Sequence, residues 1–497
     1  MPVWENYSIP LTGFSIRNCN KLHFNLVFMS EPSYDFGMIG LGTMGRNLLL
    51  NIADHGFSAI GYDKDPSKAS LLGSSANAGT TVKGVVTLAE MVSSLKSPRK
   101  IMLLVPAGPI VDAVIKDLLP LVETGDIIID GGNSYFLDTQ RRIDNLKDTK
   151  IHFVGMGVSG GEQGARIGPS IMPGGDIEAW TQLKPILEAI AARVNDEPCV
   201  AYMGKNAAGH YVKMVHNGIE YGVMQLISEV YDFLKRGMGI SNDDLHQIFK
   251  KWNEAELQSF LIEITADIFT KVDEQTGQKL VDVILDKAGS KGTGKWTSQE
   301  AMNLPVPIPT IDMAVAMRDL SSYKDERLQA GALYKPRIKP LSANKEKLVL
   351  PLHDALYAAT LITYAQGLAM VHKASGEHQM DINLNDVVKI WRGGCIIRSR
   401  QLEIFTAAFK KNPNLSNILL DKKIASILKK KIPALRKINR EFVAARIPAA
   451  GLMSALSYFD AYISERMPTN LLQAQRDYFG AHTYQRIDKE GSFHTDW

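Results

Sequence analysis

Phe36-Gly-Met-Ile-Gly-Leu-Gly-Thr-Met-Gly45 opens the periodic part of this 497-residue chain. Its first residues read as a short apolar strand, Gly40-x-Gly42-x-x-Gly45 as a turn, and Arg46 to His55 as the helix that follows. A second apolar run, Ser58 to Asp63, then ends on an acid. A glycine-rich hexapeptide alone is as easily a structural turn. Between a strand and a helix, with an acid closing the next strand, it reads as a dinucleotide site. The glycines permit a tight turn and close approach of a pyrophosphate, and the helix N-terminus offers free N–H groups to the phosphates. Further apolar runs at 101–105, 127–129 and 152–154 alternate with helical patterns. Strand, crossover helix and strand in repetition predict a parallel sheet covered on both faces.

Two more loops follow strand ends, where ligands gather in such sheets. They are Asp130-Gly-Gly-Asn133-Ser134 and Gly157-Val-Ser159-Gly160-Gly161-Glu162. Taken alone, either is a plain turn or a binding loop. Pro173-Gly-Gly175 reads as a turn and Pro198 to Tyr202 as a last strand.

Beyond Ala207 the 3.6-residue period takes over, in Val223 to Lys235, Leu245 to Leu261, Asp354 to His372 and Ala455 to Arg466. An all-α region is expected. Within His210-Tyr-Val-Lys-Met-Val-His-Asn-Gly-Ile-Glu-Tyr-Gly222, a helix puts Lys213, His216, Asn217 and Glu220 on one face. An amine, an imidazole, an amide and a carboxylate at one point can donate and accept protons. The same stripe also reads as an exposed face with a chance Lys–Glu pair. Gly218 and Gly222 weaken that helix, a cost tolerated where a backbone or ligand must come close. Gly289 to Trp296 is a glycine-rich, doubly basic loop suited to a phosphate, though without the spacing of a nucleotide P-loop. The basic clusters between Lys410 and Lys437 alternate with apolar residues and read as solvated helix faces.

The composition excludes several function classes. Apolar content of 45% and charged content of 22% are those of a globular protein, and a net charge of +3 gives no bulk case for nucleic acid. Cys19, Cys199 and Cys395, far apart and odd in number, suit neither a disulfide framework nor a zinc site and point to a reducing, cytoplasmic setting. No metal-ligand cluster is evident, and no unbroken apolar run reaches the ~18 residues of a membrane span. Residues 1–35 lack periodicity and any signal-peptide pattern. They are expected to be a disordered extension, or, over residues 1–28, the product of an upstream start codon ahead of Met29.

Taken together, Ile39 to Gly45, Asp130 to Ser134, Gly157 to Glu162, His210 to Gly222, Lys291 to Trp296, Ile390 to Arg398 and Gln473 to Tyr484 resemble the decarboxylating 6-phosphogluconate dehydrogenases of the pentose phosphate pathway. The resemblance runs through residues 36–486 in the family's order. It implies an α/β Rossmann-like dinucleotide-binding domain (36–206), a large all-α substrate and dimerisation domain (207–466), and a C-terminal tail (467–497) that reaches the partner of a homodimer. It implies Lys213 as general base and Glu220 as general acid. Substrate contacts carried over are Asn133, Ser159, Gly160, Gly161, His216, Asn217, Tyr221, Lys291, Thr293 and Arg318, with Arg476 and His482 supplied by the other subunit. Cofactor contacts are Gly40, Leu41, Gly42, Thr43, Met44, Gly45, Asp63, Lys64, Asp65, Val105, Pro106, Ala107 and Asn133. The expected reaction converts 6-phosphogluconate to ribulose 5-phosphate and CO₂ with reduction of NADP. A free Lys loses its proton near ~10.4, so burial or the cations of Lys291, Arg318 and the partner's Arg476 are expected to lower that value.

One departure bears on the cofactor. The family pattern after the second strand is Asn-Arg-Thr, whose Arg holds the 2′-phosphate of NADP; here the positions read Asp63-Lys64-Asp65. A carboxylate there suits the free ribose hydroxyl of NAD and repels a phosphate by about 4 kcal/mol at ~4 Å and an effective dielectric of ~20. Use of NAD beside NADP is therefore expected. Three rival readings differ in what they need. A β-hydroxyacid dehydrogenase that keeps its CO₂ is shorter and lacks the 473–484 motif. A non-enzymatic dinucleotide sensor has no use for Lys213 with Glu220, and a nucleic-acid binder needs a concentrated basic face.

Overall fold

The computed structural model describes residues 34–339 and 346–497; the extension expected at 1–35 lies almost wholly outside them, as does Cys19. Seven strands form one sheet: β1 (Phe36–Ile39), β2 (Ala59–Tyr62), β3 (Val82–Val85), β4 (Lys100–Leu103), β5 (Ile127–Asp130), β6 (His152–Ser159) and β7 (Ser170–Gly175). They lie in the order β3-β2-β1-β4-β5-β6-β7. Helices α1 (Thr43–Asp54), α2 (Pro66–Ser74), α3 (Leu88–Ser93), α4 (Pro109–Leu118), α5 (Phe136–Leu146), α6 (Gly161–Ile167) and α7 (Ile177–Ile190) connect or follow them. The chain reverses direction across the sheet between β1 and β4, opening a crevice at their carboxyl ends. Strands β1, β4 and β5 are buried throughout or nearly so, with helices on both faces.

The sheet departs from the sequence reading at its far edge. Pro173-Gly-Gly175 is no turn: it ends the fully buried β7, which runs antiparallel to β6. Strand β6 runs on through Gly157 and Ser159, and α6 begins at Gly161, so Gly160 alone joins them. Pro198 to Tyr202 is not a full strand of the sheet: it runs beside β7 with a single parallel bridge, Val200 to Ile171, and Glu197–Pro198 pairs with Arg193–Val194. The glycines explain the edge. Helix α8 (Ala208–Asp232) lies against β6 and β7 so closely that a Cβ on Gly174 would overlap the Gly209 nitrogen. A Cβ on Gly157 would overlap the Cβ of Lys213. Glycine here permits two backbones to meet, and composition alone cannot tell that from a turn.

Helix α8 is 25 residues long and fastens the sheet to the helical body. Replacing Gly209 with Ala tests this joint. Its Cβ would overlap the carbonyl oxygens of both Gly155 and Met172, neither of which is the end of a flexible side chain. The expected loss of stability is at the upper end of overpacking, about 3 kcal/mol or more, read from the urea midpoint. A wild-type midpoint would mean the helix is not fixed there.

The rest of the described chain is helical. Leu245 to Leu261 is two helices, Asn242–Asn253 and Phe260–Ile268, not one. Gly218 and Gly222 do not face a ligand; they admit the side chains of Thr297 and Thr363. The latter sits on Glu346–Glu377, whose segment Lys347–Glu377 is long and apolar enough to cross a membrane by length and composition. With 78% of its most apolar window buried inside the protein, it is the core helix of this body. Along Lys422–Ala445 the apolar Ile424, Leu428, Leu435 and Phe442 are buried while Lys422, Lys423, Lys429 and Lys430 are exposed, the solvated face expected. The terminal helix Thr469–Gly480 exposes Leu471, Leu472, Tyr478 and Phe479.

Candidate active site

The crevice at β1 and β4 is built by glycine. Gly40 holds a left-handed φ of +96°, and a Cβ there would overlap the Leu104 carbonyl oxygen. Gly42 caps α1 with no side-chain hydrogen bond, no acid occupies the first turn, and no atom lies within 4 Å of where its Cβ would sit. The free N–H groups of α1 therefore face open space. Beside them is a cavity of about 630 Å³ lined by Met44, Val105, Pro106, Ala107, Asn133, Lys291 and Trp296, among others. A dinucleotide fits this donor set.

Asp63, at the end of β2, turns its carboxylate back into the turn. It accepts the Leu41 N–H (2.8 Å) and the Asp65 N–H (3.0 Å), with Lys68 Nζ at 3.5 Å. Asp65 caps α2 through the Ser67 N–H, and Lys64 is exposed. The loop carrying Asn133 is held by Asp130, which accepts from Gly132 N, Ser134 Oγ and Arg142. Arg142 also donates to Gly108 O and Asp112. The sequence reading missed the ion pair of Asp130 with Arg142. No local pattern joins two such residues across a loop and a helix.

On α8 Lys213 and His216 are buried, while Asn217 and Glu220 are half-buried. Lys213 is 6% exposed and His216 fully buried, while the Glu220 side chain keeps 22% of its exposure. Burial is the largest influence on all three. It pushes the Lys213 amine below its ordinary value, against the Glu220 carboxylate and the buried Cys395, which favour the charged form. Burial also pushes the Glu220 carboxyl up, against Lys213 and Arg318. His216 is held well below the usual imidazole range by burial and by Lys213. The lowered lysine thus owes its state to desolvation first, one of the two causes expected from the sequence. His216 Nε2 lies 3.4 Å from Ser159 Oγ at the end of β6, and its Nδ1 is 3.0 Å from Asn217 Oδ1 and 3.9 Å from Glu220 Oε2.

Around this face, Gly160 (φ +115°) and Gly161 (φ +63°) lead into α6, and Gly161 borders open space. The Arg318 guanidinium stacks 3.4 Å over the Tyr221 ring. Thr293 starts the helix Thr293–Asn303, whose Trp296 stacks on Tyr135 at 5.0 Å between ring centres. Trp296 was quoted in the basic loop but given no role, because aromatic content alone does not show which way a ring faces. Arg476 and His482 are exposed on the terminal segment. Among the described residues one cluster has the spacing of a metal site, Glu256 with His353 and Asp354. Lys431 Nζ sits 2.6 Å from Glu256 and 2.7 Å from Asp354, filling the cation's place.

Comparison with known proteins agrees along the whole described length. Residues 35–204 match the family described as "NAD binding domain of 6-phosphogluconate dehydrogenase", and residues 209–497 the "6-phosphogluconate dehydrogenase, C-terminal domain". The Bacillus subtilis "6-phosphogluconate dehydrogenase, NADP(+)-dependent, decarboxylating" is 53% identical over 462 residues, 93% of this chain and 98% of that one. A Lactococcus lactis subsp. lactis decarboxylating 6-phosphogluconate dehydrogenase is 50% identical over 465 residues, 93% of this chain and 98% of its own. Among solved structures, the Plasmodium falciparum 6-phosphogluconate dehydrogenase, studied alone, with NADP⁺ and with 6-phosphogluconate, superposes with a TM-score of 0.91. It is 44% identical and covers 93% of this chain and 100% of its own.

Proposed function

The chain belongs to the decarboxylating 6-phosphogluconate dehydrogenase family, and from that premise we propose that Lys213 and Glu220 divide the two halves of its reaction. That reaction converts 6-phospho-D-gluconate to D-ribulose 5-phosphate and CO₂ and reduces NADP, in the oxidative branch of the pentose phosphate pathway. The observation that carries the division of labour is the shared buried face of α8, where burial favours a neutral amine and a protonated carboxyl together.

NADP, held by the α1 N-terminus and the crevice lining, would supply the hydride acceptor for C3 of the substrate. Neutral Lys213 takes the proton of the 3-hydroxyl as the C3 bond to hydrogen breaks. The new carbonyl is β to the carboxylate, so CO₂ leaves and its bonding electrons form an enediolate. Protonated Lys213 returns its proton to the C3 oxygen. Glu220 delivers a proton to the substrate's C2, which is C1 of the product, and Lys213 takes back the hydroxyl proton as the ketone forms. Ser159, Gly160, Gly161, His216, Asn217 and Asn133 hold the carboxylate and hydroxyls. Tyr221, Thr293 and the cations Lys291 and Arg318 hold the phosphate. One CO₂ released for each NADPH formed is the expected stoichiometry, and NADPH without CO₂ would contradict the reading.

We place the working boundaries at residues 206 and 466, and the enzyme in the cytoplasm, where the free buried thiols of Cys199 and Cys395 persist. The terminal segment is proposed to complete a homodimer's sites, with the partner's Arg476 and the partner's His482 on the phosphate. Its exposed Leu471, Leu472, Tyr478 and Phe479 support this. Mixing an inactive Lys213 variant with an inactive Arg476 variant should restore activity, because a heterodimer keeps one intact site. Subunit exchange without recovered activity would refute the shared site.

NAD use beside NADP is the finer cofactor reading. The two N–H bonds and Lys68 on Asp63 offset part of the carboxylate's repulsion of a 2′-phosphate. Asp63→Asn is expected to raise the NADP-over-NAD ratio of kcat/KM severalfold, well short of the roughly thousandfold that a bare charge pair of about 4 kcal/mol implies. An unchanged ratio would mean the carboxylate serves only the turn.

A further inference from the structure

The terminal segment folds on a single carboxylate. Asp477, on the helix Thr469–Gly480, is fully buried although its neighbours Arg476 and Tyr478 are exposed. Its two oxygens receive four donors from beyond the helix. Oδ1 accepts the Thr483 N–H at 2.9 Å and lies 2.9 Å from His494 Nδ1. Oδ2 accepts the Thr495 N–H at 3.1 Å and the Trp497 indole N–H at 3.0 Å. The return path is itself tied: Tyr484 and Phe493 exchange N–H to carbonyl bonds, both 2.8 Å, and Ser492 Oγ donates to Thr483 Oγ1 at 2.8 Å. Residues 483–497 thus close a clasp around one side chain.

What the clasp fixes is the turn that carries His482. Ala481 (φ +48°) and Thr483 (φ +58°) are both left-handed non-glycine residues, an arrangement that persists only where its surroundings over-determine it. Gln473 ties the two functional positions together: its amide donates to Thr483 O at 2.6 Å, and its carbonyl accepts from Arg476 at 3.2 Å. A long, exposed Arg and an exposed His otherwise keep rotamer and backbone freedom, which must be given up on binding a phosphate.

We propose that Asp477 is a positioning residue for the other subunit's active site: by gathering Thr483, His494, Thr495 and Trp497 it pre-sets Arg476 and His482 for the phosphate of a substrate bound across the dimer. This rests on the reading that the terminal segment completes the partner's site. The carboxylate is needed because four donors converge on two oxygens, and Asn would replace one acceptor with a donor facing N–H groups.

The test uses the full-length dimer. Asp477→Asn is expected to raise KM for 6-phosphogluconate about tenfold or more, leaving KM for NADP within about twofold. A chain ending at Ser492, which lacks three of the four donors, should do the same. A dimer of one Lys213→Met chain with one Asp477→Asn chain should recover the wild-type substrate KM, because its working site is completed by an intact terminal segment. A raised KM in that heterodimer would show that Asp477 acts within its own subunit and overturn the proposal. Arg476→Ala separates the two levels. If it raises KM while Asp477→Asn and the shortened chain do not, the clasp has no positioning role; if Arg476→Ala also has no effect, the shared-site reading fails first.

Discussion

Lys213→Met is expected to lower kcat for 6-phosphogluconate oxidation by about 10² to 10⁴, the range for losing a general base, while the protein stays folded. The position tolerates the change sterically and electrostatically. Lys213 is 6% exposed, and burial holds its amine below its ordinary value. The unfolded chain therefore binds a proton there that the folded one holds less tightly. Between the two values, wild-type stability rises with pH. Methionine removes this penalty, so at pH 7 the variant should unfold at a urea concentration equal to or above that of the wild type, the difference shrinking toward pH 10. No other base shares that face with the right reach, since His216 Nε2 already faces Ser159. Wild-type turnover in Lys213→Met would remove the base role. A collapsed urea midpoint would show that the lysine is structural.

Glu220→Gln is expected to cost a comparable factor, about 10² to 10⁴, but on the second half of the reaction. Burial raises the carboxyl, so it is protonated at a pH where a free Glu is ionised. The folded protein binds that proton more tightly than the unfolded chain. Here stability falls as pH rises through the window above the ordinary value. Glutamine keeps the shape and removes the proton. The kcat profile should therefore lose its alkaline limb, where Glu220 ionises, and keep the acid limb, where Lys213 must first lose its own proton. Retention of both limbs at near wild-type rate would assign the acid elsewhere.

These two residues were legible because a 3.6-residue period places them together whatever surrounds them. So was the Gly40 to Gly45 turn, whose glycines meet a steric demand local to a dozen residues. The β7 edge was not. Gly174 and Gly175 carry the composition of a turn, and only the arrival of Gly209, over thirty positions later, shows why Gly174 is small. The missed ion pair of Asp130 with Arg142, and the gathering of the last residues on Asp477, belong to the same class. Each depends on partners that no local periodicity connects. Which of the two expected causes lowers the lysine was also not legible. Charges can be counted in a sequence, whereas the burial that outweighs them follows from how α8 packs on β6 and β7.

The division of labour on α8 is tested most directly by running the reaction in D₂O and reading C1 of ribulose 5-phosphate by NMR. In the wild type, Glu220 delivers one deuteron to one face, so the product should carry a single deuterium in one stereochemical position. The residual product of Glu220→Gln should carry deuterium divided between both positions, because solvent then protonates the enediol without a fixed donor. Stereospecific labelling by Glu220→Gln at the wild-type rate would contradict the account.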